Sequence, residues 1–387
     1  MIPSFEFASA GRIVFGNGCL VRLPELIRDW GKRSLIVTGS SSRHREAIER
    51  ILGQAGRTAE WAVIATEPRV EVVSETARVA REKGCDHVIA SGGGSVIDAG
   101  KAISALLTNT DDVYNYLEII GRNQPLPHRP APFAAIPTTA GTGAEVTRNA
   151  VLKSAAHQLK VSLRSPLMLP TLALVDPTLT YSLPPGLTAC TGLDALTQVL
   201  EPYVSCRANP LTDSLCRMGL EKVGFGLRTA YYQGDNPGAR ETMSLVSLWG
   251  GLALANAGLG AVHGFAGPLG GMYSAPHGAV CASLLAPVWQ ANVERLRRET
   301  PRHPALDRYQ NAARWLTGNS EATVEDGSRW LVELVRELEI PPLSHWGVHA
   351  AEIPEIATKS AQTSSMKGNP IGLTLAELET ALSAALD

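Results

Sequence analysis

No run of apolar residues in this sequence approaches the roughly 18–20 that a membrane-spanning helix needs, so no membrane partner is expected. Charge of one sign is also missing. Against 35 Lys+Arg stand 37 Asp+Glu, a formal net charge of -2, which argues against nucleic acid or an anionic lipid surface as a partner. The six cysteines (Cys19, Cys85, Cys190, Cys206, Cys216, Cys281) form no CxxC pair, a pattern that favours buried thiols in a reducing compartment. The opening MIPSFEFASAGRIVFG has an acid and glycines where a secretory leader would be apolar, so a cytoplasmic protein is expected. Internal repeats and low-complexity tracts are absent, and so is a GxGxxG fingerprint.

What is present is enough chain for two domains: 387 residues exceed one typical core. The first half alternates. Apolar runs at 34–39, 60–65, 87–90, 133–136 and 172–175 read as strands, with helical stretches at 43–55, 70–83 and from the GGGS turn through Leu107. Such alternation predicts a parallel sheet with helices on both faces. Residues 149–161 could form a hairpin. After Asp176-Pro177 no strand is expected and helical periodicity dominates. The reading is an α/β dinucleotide-binding domain over 1–178 and an all-helical domain over 179–387, with the cleft between them the default ligand site.

Three stretches carry chemistry. SGGGSVID, residues 91–98, places glycines at a strand-to-helix turn, where backbone N–H groups and a helix N-terminus can meet a phosphate. The same turn could equally serve only the backbone. PTTAGTG, residues 137–143, follows the next strand in the same way, and two such loops on one sheet edge suggest a nucleotide with a pyrophosphate. The third is the helix TACTGLDALTQVLEPY, residues 188–203, whose Leu193, Leu196, Val199 and Leu200 form an apolar stripe while Asp194 and Gln198 share another face. A carboxylate on a buried helix needs a partner. His263 and His277 lie in a Gly/Ala-rich stretch with few charges, where each could be an ordinary hydrogen-bonded core residue. Together with Asp194 they make a three-ligand metal set plausible, with an open position for catalysis.

In combination the phrases GGGSVIDAGKAIS, PTTAGTGAEVT, LVDPTLTYSLP, TGLDALTQ, HGFAGPLGG and APHG resemble the iron-containing (group III) alcohol dehydrogenase family, in the order that family has them. The resemblance implies the dehydroquinate-synthase-like fold and a metal- and NAD(P)-dependent alcohol dehydrogenase or aldehyde/ketone reductase. Hydride transfer would take place at a metal-bound alcohol or carbonyl in the interdomain cleft. By position it assigns Gly93, Gly94, Ser95 and Asp98 to the pyrophosphate side of the cofactor, and Thr138, Thr139, Thr142, Lys160 and Leu179 to its ribose and nicotinamide end. Asp194, His263 and His277 fall on catalytic metal-ligand positions, with Gln198 at a fourth. The metal would be Fe2+ or Zn2+, and a homodimer is implied through the N-terminal strand region.

Two departures stand out. Gln198 and Gly267 occupy positions where alcohol dehydrogenases of this family often carry histidine. Gln198 offers only a neutral carbonyl oxygen, so a four-ligand iron site is weakened while an Asp/His/His set survives. Gly267 removes an expected proton-relay group. After the first strand, Gly39 and Ser40 lead a TGSSSR segment with no acid to bind a ribose 2′-hydroxyl, and its hydroxyls and Arg43 suit a 2′-phosphate, favouring NADP(H) over NAD(H). Residues 40–42 could instead cap the following helix. The alternatives are a metal-independent reductase of maleylacetate-reductase type, a dehydroquinate-synthase-like lyase, and a cofactor-binding protein without turnover.

Overall fold

The computed structural model describes residues 4–41, 43–157 and 159–387. Ser42, one of the hydroxyls expected near the cofactor, lies outside them.

Six strands make one parallel sheet: β1 (Ile13–Phe15), β2 (Arg33–Thr38), β3 (Thr58–Val63), β4 (His87–Gly92), β5 (Phe133–Pro137) and β8 (Leu172–Val175), in the order β1-β8-β5-β4-β2-β3. Between them run α1 (Leu23–Leu26), α2 (Arg45–Gln54), α3 (Val70–Glu82) and α4 (Gly94–Thr108). The strands are apolar on both faces because helices cover both. Leu35, Val37, Val88, Ala90, Phe133 and Ala135 pack with Val73, Ala77 and Ile103 on one side. Their alternate neighbours Ile36, Ile89, Ala134 and Ile136 pack with Leu23, Ile27, Ile48 and Leu52 on the other. The expected hairpin is real and longer than expected, β6 (Asn149–Ser154) pairing antiparallel with β7 (Leu159–Arg164). β1 was not expected; three residues carry no period of their own, and pairing with β8 defines it.

The chain leaves β2 for β3 on one side and returns to β4 on the other, so the sheet reverses its winding between β2 and β4. Ligands of open α/β sheets bind at the carboxyl ends of strands at such a reversal. Two glycines are needed for the helix that starts there. A Cβ at Gly92 would lie 2.6 Å from Val96, and one at Gly100 would lie 2.5 Å from the Ala90 side chain, so α4 can sit close on the sheet only without them.

No strand follows Val175 among the described residues. The helices are α5 (Pro185–Val204), α6 (Pro210–Tyr232), α7 (Pro237–Ala257), α8 (Ala261–Met272), α9 (His277–Glu299), α10 (Pro304–Thr317), α11 (Val324–Glu337), α12 (Ile353–Ala361) and α13 (Leu375–Ala384). α5 is their centre: it packs on α6, α7 and α9, and every residue from Gly192 to Val204 is buried. The chain divides into two compact units between Tyr181 and Ser182, compared with the expected 178. The described residues up to Ala8 and the segment Ala140–Thr142 group with the helical unit. Ala8 is held there by Asn256, whose Oδ1 accepts from Ala8 N at 2.6 Å while its Nδ2 donates to Ala8 O at 2.9 Å.

Candidate active site and metal centre

Asp194 lies in the middle of α5, 2% exposed. The two histidines reach it from helix starts. His263 is the third residue of α8, whose first N–H groups have no helical acceptor. Asn369 Oδ1 accepts from Ala261 N at 3.2 Å and Glu201 Oε1 from Val262 N at 2.7 Å, which fixes this end of the helix. The other carboxylate oxygen of Glu201 accepts from His263 Nδ1 at 2.7 Å. A carboxylate only accepts, so Nδ1 carries a proton, and Nε2 is the nitrogen left to face a metal. That Nε2 stands 3.3 Å from Asp194 Oδ1.

His277 is the first residue of α9. A Cβ at Gly278 would lie 1.9 Å from the Cys190 carbonyl oxygen, so the start of α9 rests directly on the backbone of α5 one turn before Asp194. This close crossing puts His277 Nε2 3.7 Å from Asp194 Oδ1. One turn along α9, on the same face, Cys281 Sγ lies 3.7 Å from His277 Nε2 and 4.0 Å from His263 Nε2. One ligand atom each from Asp194, His263, His277 and Cys281 lies within 4.8 Å of the others. His277 is the side open to solvent, its side chain 43% exposed, while the other three are buried.

The donor set fits a divalent cation. Asp194 Oδ1 is buried with no hydrogen-bond donor, since the 3.3 Å approach of His263 Nε2 lacks hydrogen-bonding alignment. A buried carboxylate oxygen facing two imidazole nitrogens is costly without positive charge between them. Burial disfavours the Asp194 carboxylate, yet His277, His263 and the Gln198 amide outweigh it and hold its pKa below the usual value. Burial likewise opposes the Cys281 thiolate, and the two imidazoles reverse that too. For His263 burial opposes the charged form, and Cys281, Asp194 and Glu201 together raise its pKa well above normal. Protons on the imidazoles thus supply positive charge to the Asp194 carboxylate and the Cys281 sulfur, a charge that a divalent cation would supply in their place. Gln198, expected at a ligand position, is 3% exposed; its Oε1 has no partner, and its amide steadies the Asp194 carboxylate. A Cβ at Gly267 would meet nothing within 4 Å.

The expected cofactor residues other than Thr142 lie on the α/β unit. Gly39 and Ser40 follow β2, Gly93, Gly94 and Ser95 follow β4, and Thr138 and Thr139 follow β5, three neighbouring strands ending on one edge. The last two loops touch: a Cβ at Gly93 would be 3.5 Å from the Thr139 side chain. Leu179 O lies 3.2 Å from His44 Nε2 beside the start of α2. Two residues have partners that the sequence did not reveal. Asp98 Oδ2 accepts from Val151 N at 3.1 Å and its Oδ1 lies 3.6 Å from Lys101 Nζ, which ties α4 to the hairpin. Lys160 is ion-paired with Glu67. Thr142 belongs to the helical unit, where a Cβ on neighbouring Gly141 would lie 2.9 Å from the Thr191 carbonyl oxygen. Sequence reasoning missed Glu201 and Cys281. The available signals were spacings, Glu201 two turns after Asp194 and Cys281 one turn after His277.

Residues 10–177 match the family described as "Iron-containing alcohol dehydrogenase", and residues 188–386 match "Fe-containing alcohol dehydrogenase family, C-terminal". Alcohol dehydrogenase 4 of Schizosaccharomyces pombe is 33% identical over 391 residues, covering 100% of this chain and 88% of that protein. The crystal structure of a 1,3-propanediol oxidoreductase superposes with a TM-score of 0.89 at 31% identity, covering 99% of this chain and 100% of that one. That of sulfoacetaldehyde reductase from Bifidobacterium kashiwanohense, in complex with NAD+, superposes with a TM-score of 0.87 at 26% identity, covering 100% and 99%. This chain belongs to the iron-containing alcohol dehydrogenase family and is an oxidoreductase acting on CH–OH groups.

Proposed function

We propose that the protein is a metal-dependent, NAD(P)-linked alcohol dehydrogenase that also runs as an aldehyde or ketone reductase. The observation that carries this reading over a metal-independent reductase is the convergence of Asp194, His263 and His277 around an unpaired carboxylate oxygen. When bound, the cation supplies Lewis-acid polarisation of the substrate oxygen and the nicotinamide supplies or accepts the hydride. Asp194 contributes the anionic ligand and His263 and His277 the neutral ones. Glu201 keeps the His263 proton on Nδ1, so Nε2 stays available. The Gly93–Ser95 turn, at the N-terminus of α4, binds the pyrophosphate through backbone N–H groups, and Thr138 and Thr139 border the ribose. With no histidine at 267, the alcohol proton passes to water or to another group. The test is reduction of a panel of small aldehydes and ketones with zinc, iron or EDTA present. Full activity in metal-free protein would reject the proposal.

NADPH is proposed as the preferred cofactor, supported by the acid-free segment after β2 with exposed Ser40 and Arg43. A tenfold or larger preference for NADH in kcat/KM would refute it. A cytoplasmic homodimer through the N-terminal strand region is proposed too, consistent with β1 being an edge strand whose outer side is unpaired among the described residues. Light scattering of the purified protein tests the dimer.

A further inference from the structure

We propose that Cys281, as its thiolate, is a protein ligand of this metal centre, beside Asp194, His263 and His277. The inference rests on the reading that a cation is held here and goes beyond it, because neither the family resemblance nor any spacing argument assigned a role to Cys281.

Its basis is placement. Sγ is 3.7 Å from His277 Nε2 and 4.0 Å from His263 Nε2, and it belongs to the set of four ligand atoms that fall within 4.8 Å of one another. Zinc–sulfur and zinc–nitrogen bonds of roughly 2.3 and 2.0 Å meeting at tetrahedral angles leave such atoms about 3.3–3.8 Å apart. The sulfur is already near that separation from His277 and within a small side-chain adjustment of it from His263. Cys281 is buried, and the hydrogen-bonding contacts of its sulfur run to these two imidazoles. It sits on a helix whose start is fixed against α5 by the Gly278–Cys190 crossing, so the placement follows from rigid elements rather than from a loop. Independently, Asp194 Oδ1, 2% exposed, points into the same space without a donor.

A thiolate changes what the centre prefers. Carboxylate and imidazole ligands are hard to borderline, and one sulfur shifts the set toward zinc and away from ferrous iron. On binding, the thiol proton leaves to solvent and the sulfur lone pair forms the bond, with no change in oxidation state.

Cobalt(II) is the probe, since a cobalt–thiolate bond gives a sulfur-to-metal charge-transfer band in the near ultraviolet that nitrogen and oxygen ligands do not. The full-length protein is stripped of metal, loaded with one equivalent of cobalt, and compared with Cys281→Ser, Gln198→Ala and Asp194→Asn. The proposal expects the band in the wild type, its loss in Cys281→Ser with cobalt still bound, and its retention in Gln198→Ala. Zinc affinity in Cys281→Ser should fall at least tenfold, with the preference for zinc over iron narrowing. Cobalt bound stoichiometrically in the wild type without the band, or a band that survives in Cys281→Ser, overturns the inference and leaves the metal-dependent reading standing. Failure of the wild type to bind cobalt, or binding indifferent to Asp194→Asn, overturns both.

Discussion

Replacing Glu201 by glutamine tests how the site holds its histidine. The carboxylate is 5% exposed and receives two donors at once, Val262 N on Oε1 and His263 Nδ1 on Oε2, each at 2.7 Å. Glutamine keeps the shape but turns one acceptor into a donor. If its oxygen stays with Val262 N, its NH2 faces Nδ1, which must then accept, and the imidazole proton moves to Nε2. That atom faces Asp194 Oδ1 at 3.3 Å and is the one a metal needs. Losing a partner that orients a ligand histidine costs about 10–100-fold in metal affinity, or about 1.4–2.7 kcal/mol. The assay is competition between the protein and a chelator of known zinc affinity, with circular dichroism to confirm folding. Activity should fall with occupancy and recover in excess zinc. A folded Glu201→Gln protein whose zinc affinity stays within twofold of wild type would refute the tautomer argument.

Other outcomes follow from the same geometry. Gln198→His places an imidazole one turn from Asp194 and should raise ferrous-iron affinity about tenfold or more, read by metal analysis after anaerobic loading; no change would mean the ligand geometry around α5 is misread. Gly278→Ala should destabilise the protein by about 3 kcal/mol or more, because the new carbon falls 1.9 Å from a backbone oxygen that cannot step aside. Gly267→His, where a Cβ meets nothing, should leave the denaturation midpoint essentially unchanged. Glu145 supplies a pH test away from the metal. Burial pushes its carboxyl up to about 7, the adjacent backbone and Lys101 only partly opposing. A folded-state pKa raised above the unfolded value stabilises fully below the unfolded pKa, near 4.5, and that stability is lost as pH rises through about 7. Glu145 should therefore contribute a loss of up to about 3 kcal/mol between mildly acid and mildly alkaline pH in urea titrations, a contribution that Glu145→Gln removes.

Much of this protein is legible from local pattern. Strand and helix positions in the first half follow from apolar runs separated by turn residues, and β8 at Leu172–Val175 appears where the run stood. Those strands are buried on both faces, so their sequences are apolar almost throughout and their edges are sharp. The helix that carries Asp194 shows itself by its stripe, and α5 extends the expected 188–203 only by its proline-led first turn and one residue at its end. β1 escaped because its three residues are a strand only while β8 lies beside them.

The site divides along the same line. Residue types set by chemistry that a short motif can display, the glycine turn after β4, Asp194 and the two histidines, were evident before any coordinates, since each motif is contiguous. What joins them is not contiguous. The Gly278–Cys190 crossing, the Glu201 carboxylate that divides itself between a helix start and an imidazole, and the sulfur of Cys281 among the ligand atoms all depend on which helix face meets which. Asp98 and Lys160 show the converse: motif position suggested a cofactor, and the tertiary structure supplied a backbone amide and a glutamate as their partners. Sequence alone determined the strands, the helix that carries Asp194 and the glycine turn after β4, because periodicity and turn chemistry are local. Only the packing of helices against α5 decided which atoms converge, because distances between segments far apart in the chain are set by close-packed contacts that no single segment contains.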